Sequence, residues 1–457
     1  MPYDLAIQNG EIVTPHGRYR ANVGVQDGKT ATITRAPLEA TEVIDASGLH
    51  VLPGLIDSHV HFRDPAYPEK EDFFTGTSAA AKGGITTVFE MPTSDLAVTT
   101  RERFERRRAI IAPKAVIDFA MYGAAGTNPD ELAGLAEAGA IAFKTFLCPP
   151  MPGREQNWAG AYALTSSEML TIFQAVAATG RLGCVHAEDR GLIHTLTDRA
   201  LAEGLGPIDT YVATHPTVAE VDPVQRAIRF AREAGMRLHI MHITSAEGIG
   251  LVLAARAAGQ PVTMEAVPLY LFFSREDLPV LGPMGRFVPG VQTRDDRAAL
   301  WAHLVKGDVD TVSSDHASYT RQDIEAGWNG EGIGHAGYAS IEHDVLLLLN
   351  EVAAGRLTLE RLVQAMAEAP ARLYSIYPRK GTIRVGSDAD FTLVDMQRRT
   401  VIHGADMVSK AKFTIYEDRA VQGLPVYTIV RGTCVLRNGE VVGQPGYGQL
   451  VTPGGGD

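Results

Sequence analysis

The sequence predicts a (β/α)₈ barrel accompanied by a smaller β-domain that both chain ends build. In the middle of the chain, short apolar runs alternate with amphipathic or alanine-rich segments, which is typical of strands that are each followed by a helix. At both ends, β-type runs are broken by turn signals. Because one barrel commonly takes about 250 residues, a chain of 457 residues has room for a second, smaller domain.

The β-domain is predicted from turn signals that follow short β-type runs. Near the start of the chain these signals are Asn9-Gly10 and Asp27-Gly28, and near its end they are Arg431-Gly432 and Asn438-Gly439. We therefore place the β-domain at residues 1–52 and 385–457 and the barrel at residues 53–384.

Eight apolar runs are candidate barrel strands, and amphipathic segments such as Ser167 to Gly180 lie between them as candidate helices. The strands are Gly54 to His61, Thr86 to Met91, Val116 to Met121, Ile141 to Leu147, Leu182 to His186, Arg237 to Ile243, Val262 to Val267 and Thr311 to Asp315. In such a barrel, active-site residues are expected where the strands end.

Charge and hydropathy exclude several classes of protein. The formal charge of −12 disfavours a nucleic-acid partner, and the basic run Arg101 to Arg108 is interpreted as a solvated helix face. No apolar stretch is long enough for a membrane helix, and the start of the chain lacks the pattern of a signal peptide, so we expect a cytoplasmic protein. Cys148, Cys184 and Cys434 are too far apart to predict a disulfide framework or a cysteine zinc site.

The end of the first strand carries a histidine pair that suits a metal ion. His59 and His61 are two positions apart, so both imidazoles project from the same face of the strand. Taken alone, the pair could equally be structural. The fifth, sixth and eighth strands, however, also end in candidate ligands, namely His186, His242 and Asp315.

Two further residues of these strands, His239 and Lys144, could have either a chemical or a structural role. His239 is three positions before His242 and faces the opposite way, so we interpret it as structural. Lys144 lies in an apolar strand, where an ammonium group needs a partner or a lowered pKa. Its amine could react with carbon dioxide to give a carbamate that bridges two cations, or it could form a plain ion pair.

Taken together, these segments resemble the cyclic amidohydrolases, which include hydantoinases, allantoinases, dihydropyrimidinases and dihydroorotases. The resemblance rests on His59-Val60-His61, Gly83-Gly84-Ile85-Thr86-Thr87, Phe143-Lys144, His186-Ala187-Glu188, His242-Ile243-Thr244, Ser314-Asp315-His316 and Val385-Gly386-Ser387-Asp388-Ala389-Asp390. It covers nearly the whole chain and implies a barrel with a small β-sandwich made from both chain ends.

The resemblance also implies a site with two divalent metal ions, most commonly zinc, although nitrogen and oxygen ligands also suit manganese, cobalt or iron. His59, His61 and Asp315 would hold one ion, His186 and His242 the other, and carboxylated Lys144 would bridge both. The resulting hypothesis is that a metal-bridging hydroxide attacks the ring carbonyl, while Asp315 takes the hydroxide proton and passes it to the departing ring nitrogen. Family members that are dimers or tetramers imply a homo-oligomer.

The motifs disagree about which ring is opened. Arg63 resembles the arginine with which dihydroorotases bind the substrate carboxylate, but a structural salt bridge is the alternative. His316 could contact the substrate or make a structural hydrogen bond. In contrast, Phe143 to Pro149 and Ser245 to Ile249 look more like allantoinases and L-hydantoinases. A hydantoin or ureide ring is therefore the first choice and dihydroorotate the alternative.

Two functions of other classes compete with ring hydrolysis. A non-catalytic scaffold of the same fold would be expected to have lost some of the six ligands, and all six are present. A one-metal deaminase on the same barrel would not need Lys144.

Overall fold

The computed structural model of the chain describes residues 2–93, 97–150, 155–326 and 337–454, and all statements of the fold refer to these. In chain order, the strands are β1 (Tyr3–Gln8), β2 (Glu11–Thr14), β3 (Gly17–Arg20), β4 (Asn22–Gln26), β5 (Lys29–Thr34), β6 (Ala40–Asp45), β7 (His50–Pro53), β8 (Leu55–His61), β9 (Ile85–Glu90), β10 (Asp118–Met121), β11 (Gly123–Ala124), β12 (Phe143–Phe146), β13 (Gly183–His186), β14 (Leu238–Ile240), β15 (Val262–Ala266), β16 (Thr311–Val312), β17 (His316–Ala317), β18 (Phe391–Val401), β19 (Ala420–Val430), β20 (Thr433–Arg437) and β21 (Glu440–Val441).

The α-helices connect the barrel strands or follow the last of them. They are α1 (Phe73–Lys82), α2 (Arg101–Ile111), α3 (Leu132–Glu137), α4 (Glu155–Trp158), α5 (Ser166–Ala178), α6 (Arg190–Ala202), α7 (Pro207–Thr214), α8 (Val218–Ala234), α9 (Ala246–Ala257), α10 (Pro268–Phe272), α11 (Leu278–Leu281), α12 (Arg294–Lys306), α13 (Arg321–Ala326), α14 (Ile341–Ala353), α15 (Leu359–Val363) and α16 (Ala369–Leu373). Within the described ranges, none of them has the length and hydropathy that a membrane crossing requires.

Strands β8 to β17 close into the predicted barrel. Parallel pairing runs from β10 through β9 and β8 to β17, and from β11 through β12, β13, β14 and β15 to β16. The third barrel strand is split into β10 and β11, and the eighth is split into β16 and β17, so ten strand segments form a ring of eight. The fold class predicted from the sequence is confirmed.

Both chain ends share one sheet outside the barrel. Its seven strands follow the order β21-β20-β19-β18-β7-β2-β3, and a second sheet of four strands has the order β5-β4-β1-β6. Leu5 and Val23 from the start of the chain share an apolar cluster with Phe391 and Ile429 from its end. The residues around Leu450 instead run beside the barrel strand β10, where Leu450 forms a bridge with Phe119.

A close approach joins the seven-stranded sheet to the barrel. β7 leads through Gly54 directly into β8, and Gly54 N donates a hydrogen bond of 2.8 Å to Asp390 O. A Cβ atom on Gly54 would lie 2.4 Å from Thr86 Oγ1 and 2.5 Å from Asp390 Cβ, so only glycine fits between them. The chain therefore enters the first barrel strand at a fixed position.

Reciprocal side-chain caps mark the starts of two of the barrel helices, α5 and α12. Thr165 caps α5, because its hydroxyl accepts a hydrogen bond of 3.2 Å from Glu168 N, and the Glu168 carboxylate accepts one of 2.9 Å from Thr165 N. Thr293 and Asp296 form the same reciprocal cap at the start of α12. These caps set where the helices leave the barrel rim.

A buried charge cluster lies at the N-terminal face of the barrel, opposite the C-terminal strand ends that carry the predicted metal ligands. Lys380 Nζ contacts the carboxylates of Asp118 at 2.7 Å, Asp390 at 2.6 Å and Asp388 at 3.2 Å. Asp118 begins β10, whereas Asp388 and Asp390 immediately precede β18. The cluster thus ties the N-terminal face of the barrel to the sheet that both chain ends build.

Candidate metal centre

The C-terminal ends of five barrel strands converge on one cavity. The side chains of all six predicted ligands line it: His59, His61, Lys144, His186, His242 and Asp315. Because the carboxyl ends of parallel strands meet at the same rim of a barrel, side chains far apart in sequence come together here.

Three of these side chains form one group. His59 Nε2 and His61 Nε2 are 3.2 Å apart, which shows that residues two positions apart on β8 do present their rings to the same space. Asp315 Oδ1 lies 3.1 Å from His59 Nε2 and 3.3 Å from His61 Nε2. Two nitrogen atoms and one oxygen atom therefore converge on a point that one cation could occupy.

The two remaining histidines form a second group beside the first. His186 Nδ1, at the end of β13, is 3.0 Å from His242 Nε2, just beyond β14. The ring of His242 also lies 5.5 Å from the ring of His59, centroid to centroid, so the two groups adjoin. His239 is fully buried away from the cavity, and its Nδ1 lies 2.8 Å from Thr263 Oγ1.

Lys144 is buried in the same cavity wall with an unusual set of neighbours. Its Nζ lies 2.8 Å from Met241 Sδ and 5.1 Å from the centroid of the Phe146 ring. Neither neighbour can balance an ammonium charge as a carboxylate would. Burial lowers the pKa of Lys144 to about 8, so about a tenth of the amine is neutral at pH 7.

Burial also keeps three imidazoles of the cavity neutral. It lowers the pKa of His61 to about 3 and that of His186 to about 4, and it lowers the pKa of His242 well below its usual value. Burial by itself would raise the pKa of Asp315, but the neighbouring His59 and His61 outweigh it and hold this pKa below its ordinary value. Neutral imidazoles and an ionised carboxylate are the forms that bind metal ions.

Glu265 orients two of the histidines and is the main site residue that our sequence reasoning missed. The fully buried Glu265 Oε1 accepts hydrogen bonds of 2.9 Å from His59 Nδ1 and 3.2 Å from His242 N. A proton on His59 Nδ1 leaves the lone pair on Nε2 facing His61 and Asp315. The available signal was a lone glutamate inside the apolar run Val262–Ala266.

Two candidate ligands occupy backbone conformations that most side chains avoid. His242 has a φ of 39° and Asp315 a φ of 50°, both in the left-handed region. Such strain persists only where the surroundings impose it, and it is concentrated at functional sites. The left-handed backbone at His242 and Asp315 also explains why two strands are shorter than predicted. The strands predicted to reach Ile243 and Asp315 end at Ile240 (β14) and Val312 (β16) in the structure.

The two predicted substrate-binding residues differ in where their side chains lie. Arg63 lines the cavity, where its Nε donates a hydrogen bond of 3.0 Å to Ser318 O and its guanidinium stacks 4.1 Å from the centroid of the Tyr319 ring. His316 is fully buried, with Nε2 3.4 Å from Glu71 Oε2, and it does not line the cavity. Its placement fits the structural alternative.

A closed (β/α)₈ barrel whose C-terminal rim gathers imidazole and carboxylate groups around a cavity has the architecture of a metal-dependent barrel enzyme. The model of the Amidohydrolase family matches residues 50–442, and the chain belongs to this family.

Relatives with assigned names are similar over almost their whole length. An L-hydantoinase of Paenarthrobacter aurescens is 36% identical over 98% of both chains. An allantoinase of Solibacter usitatus is 35% identical over 98% of this chain and 97% of its own. Among solved structures, L-hydantoinase (dihydropyrimidinase) from Arthrobacter aurescens superposes with a TM-score of 0.94 at 35% identity, covering 98% of this chain and 100% of that chain. A D-hydantoinase superposes with a TM-score of 0.91 at 30% identity, covering 98% of both chains.

Proposed function

We propose that this chain is a binuclear metal-dependent hydrolase that opens a cyclic amide ring of the hydantoin or ureide type. The observation that carries the proposal is the convergence of five strand ends, with their imidazoles, carboxylate and low-pKa lysine, on one cavity. The names of the relatives, L-hydantoinase and allantoinase, support a cyclic amide as the substrate.

The side chains of the cavity fit two divalent cations. His59, His61 and Asp315 would hold one, because their ligand atoms already lie within 3.3 Å of one another. His186 Nδ1 and His242 Nε2 would hold the other. Nitrogen and oxygen ligands of this kind suit zinc, which we propose as the ion.

Lys144 would link the two cation sites as a carbamate. Its neutral amine would add to carbon dioxide with loss of one proton, which replaces a cation without a carboxylate partner by an anion with two oxygen atoms. The burial of Nζ between a thioether and an aromatic ring supports this, because an uncompensated ammonium is unfavourable there. The carbamate would supply oxygen ligands in addition to the imidazoles and the carboxylate of Asp315.

When bound, the cations would polarise the ring carbonyl and lower the pKa of water from 15.7 to about 7. The chain's own contribution centres on Asp315, whose side chain lines the cavity. Its carboxylate would accept a proton from the attacking water and donate it to the ring nitrogen as the carbon–nitrogen bond breaks, so that one water is added across the amide. Glu265 would hold His59 in the required tautomer throughout.

Dihydroorotate is the second candidate substrate, and Arg63 is the residue that motivates it. Arg63 lines the cavity, so a role in binding a substrate group stays part of the proposal. The side chain is also held by Ser318 O and Tyr319, and the relatives described above are a hydantoinase and an allantoinase. Hydantoin and ureide rings therefore come first.

The decisive experiment combines metal analysis with parallel assays. We expect two equivalents of divalent metal per chain, a native mass that includes one added carbon dioxide, and turnover of hydantoins or allantoin in preference to dihydrouracil and dihydroorotate. A chain that binds no metal in excess zinc, or that turns over dihydroorotate alone, would overturn the proposal. The same proposal includes a cytoplasmic homo-oligomer, dimer or tetramer, and a division of the chain at residues 52 and 385.

A further inference from the structure

Arg190 is a second arginine in the wall of the cavity, and the proposed reaction assigns it no task. It is the first residue of α6, directly after the segment that carries His186 and Glu188. Only 5% of its surface is exposed, and its side chain lines the cavity. Its guanidinium carbon lies 5.2 Å from the centroid of the Trp158 ring, which in turn stacks on Phe146 at 4.0 Å.

The hydrogen-bonding capacity of Arg190 is only partly used. Among the residues that the structure describes, neither its Nε nor its Nη2 has a hydrogen-bond partner, although both atoms are buried. The nearest carboxylate oxygen, Glu188 Oε2, is 3.6 Å from Nε, which is beyond hydrogen-bond distance. Because buried donors without an acceptor are unfavourable, an acceptor that enters with a ligand would satisfy them.

Glu188 does not account for these donors, because it serves other groups. Its Oε1 accepts a hydrogen bond of 3.3 Å from Gly290 N, and its Oε2 lies 3.5 Å from His186 Nε2. Arg190 therefore balances the charge of Glu188 across 3.6 Å, while its Nε–H and Nη2–H groups stay available.

The charge of the cavity wall favours an anionic ligand group. Apart from the six proposed metal ligands, the described residues that line the cavity include two with a formal charge, Arg63 and Arg190, and both are cationic. Arg63 follows the first barrel strand and Arg190 follows the fifth, so the two stand on opposite sides of an eight-stranded ring. A ring bound between them would meet a buried cation on either side.

We propose that Arg190 is a specificity-determining residue that binds a carboxylate substituent on the substrate ring. This inference rests on the proposed function, and it identifies the substrate class as cyclic amides that carry an acidic side chain. The planar guanidinium is held against Trp158, so its free Nε–H and Nη2–H edge suits bidentate binding of a carboxylate.

The test compares two substrates of the same shape, 5-carboxymethylhydantoin and its uncharged primary amide. We expect the unaltered enzyme to prefer the acid by at least about tenfold in kcat/KM, since hydrogen bonds to charged groups exceed those to neutral ones. Arg190→Gln should lower kcat/KM for the acid by about 10- to 100-fold and leave that for the amide within about threefold. Arg190→Lys keeps the charge but loses the bidentate geometry. Its kcat/KM for the acid should lie between that of the unaltered enzyme and that of Arg190→Gln.

Arg199→Gln is the matched control, because Arg199 lies on the same helix but is exposed. This variant should leave kcat/KM unchanged for both the acid and the amide. An equal loss for acid and amide in Arg190→Gln would overturn the proposal and make Arg190 a positioning residue that acts through Glu188 and His186. A preference of the unaltered enzyme for the amide would overturn it even if no variant folds. Turnover of neither compound, nor of allantoin or hydantoin, would instead contradict the proposed function.

Discussion

Lys144 and Lys380 are equally buried, at 1% exposure each. Their surroundings nevertheless shift the pKa values of their amino groups in opposite directions. Three carboxylates surround Lys380, and they raise its pKa although burial alone would lower it. Lys144 faces a thioether and an aromatic ring, so burial prevails and lowers its pKa to about 8. Burial alone therefore does not decide the charge of a lysine, whereas its partners do.

The two lysines also occupy opposite ends of the barrel. Lys380 binds Asp118 at the start of β10, on the face that serves stability in such barrels. Lys144 lies on β12, among the strand ends that carry the candidate ligands. A buried lysine held by three carboxylates is a structural element, whereas one of lowered pKa, beside a thioether and an aromatic ring among the described residues, is available for chemistry.

The largest expected effect comes from removing Lys144. Lys144→Ala should lower kcat by about 10³-fold or more, because loss of the proposed bridging ligand would remove several kcal/mol of metal-ion catalysis. Metal content should fall as well, while the thermal midpoint of the metal-free protein should change little or rise. Added propionate should restore part of the activity. A variant with full activity and two bound metal ions would break the contrast with Lys380.

Removing Lys380 should instead affect stability. Lys380→Met leaves Asp118, Asp388 and Asp390 buried without their cation, which should lower the free energy of unfolding by about 3–5 kcal/mol. Denaturant titration measures this loss, and kcat per folded molecule should stay unchanged.

The matched control for Lys380→Met is Lys29→Met. Lys29 also binds Asp388, at 2.6 Å, but its side chain is 48% exposed. An exposed ion pair contributes at most about 1 kcal/mol, so this variant should stay close to the unaltered protein. Equal losses in both variants would show that burial of the lysine is irrelevant.

Glu265→Gln tests whether the carboxylate that orients His59 matters to the metal centre. We expect metal affinity or activity to fall by about 10- to 100-fold, because the charge behind the His59 imidazole is lost. Glu220→Gln is the control, since this buried glutamate accepts hydrogen bonds from Thr244 N and Ser245 N instead of a histidine. The measurement is titration of the metal-free proteins with zinc. Equal zinc affinity in Glu265→Gln and Glu220→Gln would contradict the role assigned to Glu265.

The smallest effect concerns pH. Only the neutral amine of Lys144 can react with carbon dioxide, and its fraction increases as the pH rises through the pKa and levels off above it. The metal-free protein should regain activity when carbon dioxide and zinc are added. With a pKa of about 8 for Lys144, the rate of this reactivation at a fixed concentration of dissolved carbon dioxide should rise about tenfold between pH 7 and pH 9. A lysine with an ordinary pKa would give about a hundredfold rise over the same interval. Stopped assays after addition of carbon dioxide and zinc distinguish the two.

The gathering of the six side chains around one cavity could be predicted from the sequence because five of them stand at or near the ends of predicted strands and the sixth, Lys144, lies within one. Parallel strands in a closed barrel bring those ends to one rim, so no knowledge of side-chain contacts was needed. The assignment of these residues as metal ligands stays a prediction until metal is measured.

What could not be predicted depends on contacts between strands distant in sequence. A lone glutamate in β15 indicates a buried charge, but the spacing of residues does not reveal that it faces His59. Likewise, Arg190 follows Asp189 like any residue at a helix start, and only the structure places its guanidinium against Trp158. The left-handed backbone at His242 and Asp315 also has no sequence signal, because neither residue is glycine.

The pairing of β7 with β18 has a consequence for the order of events during synthesis. Phe391 to Val394 pair with His50 to Pro53, and β7 continues through Gly54 into the strand that ends at His61. While the ribosome is still making the barrel, this side of β7 is an unpaired edge on which another nascent chain could add a strand. Protection of that edge must therefore wait until residues 391–394 have emerged from the ribosome, near the end of synthesis.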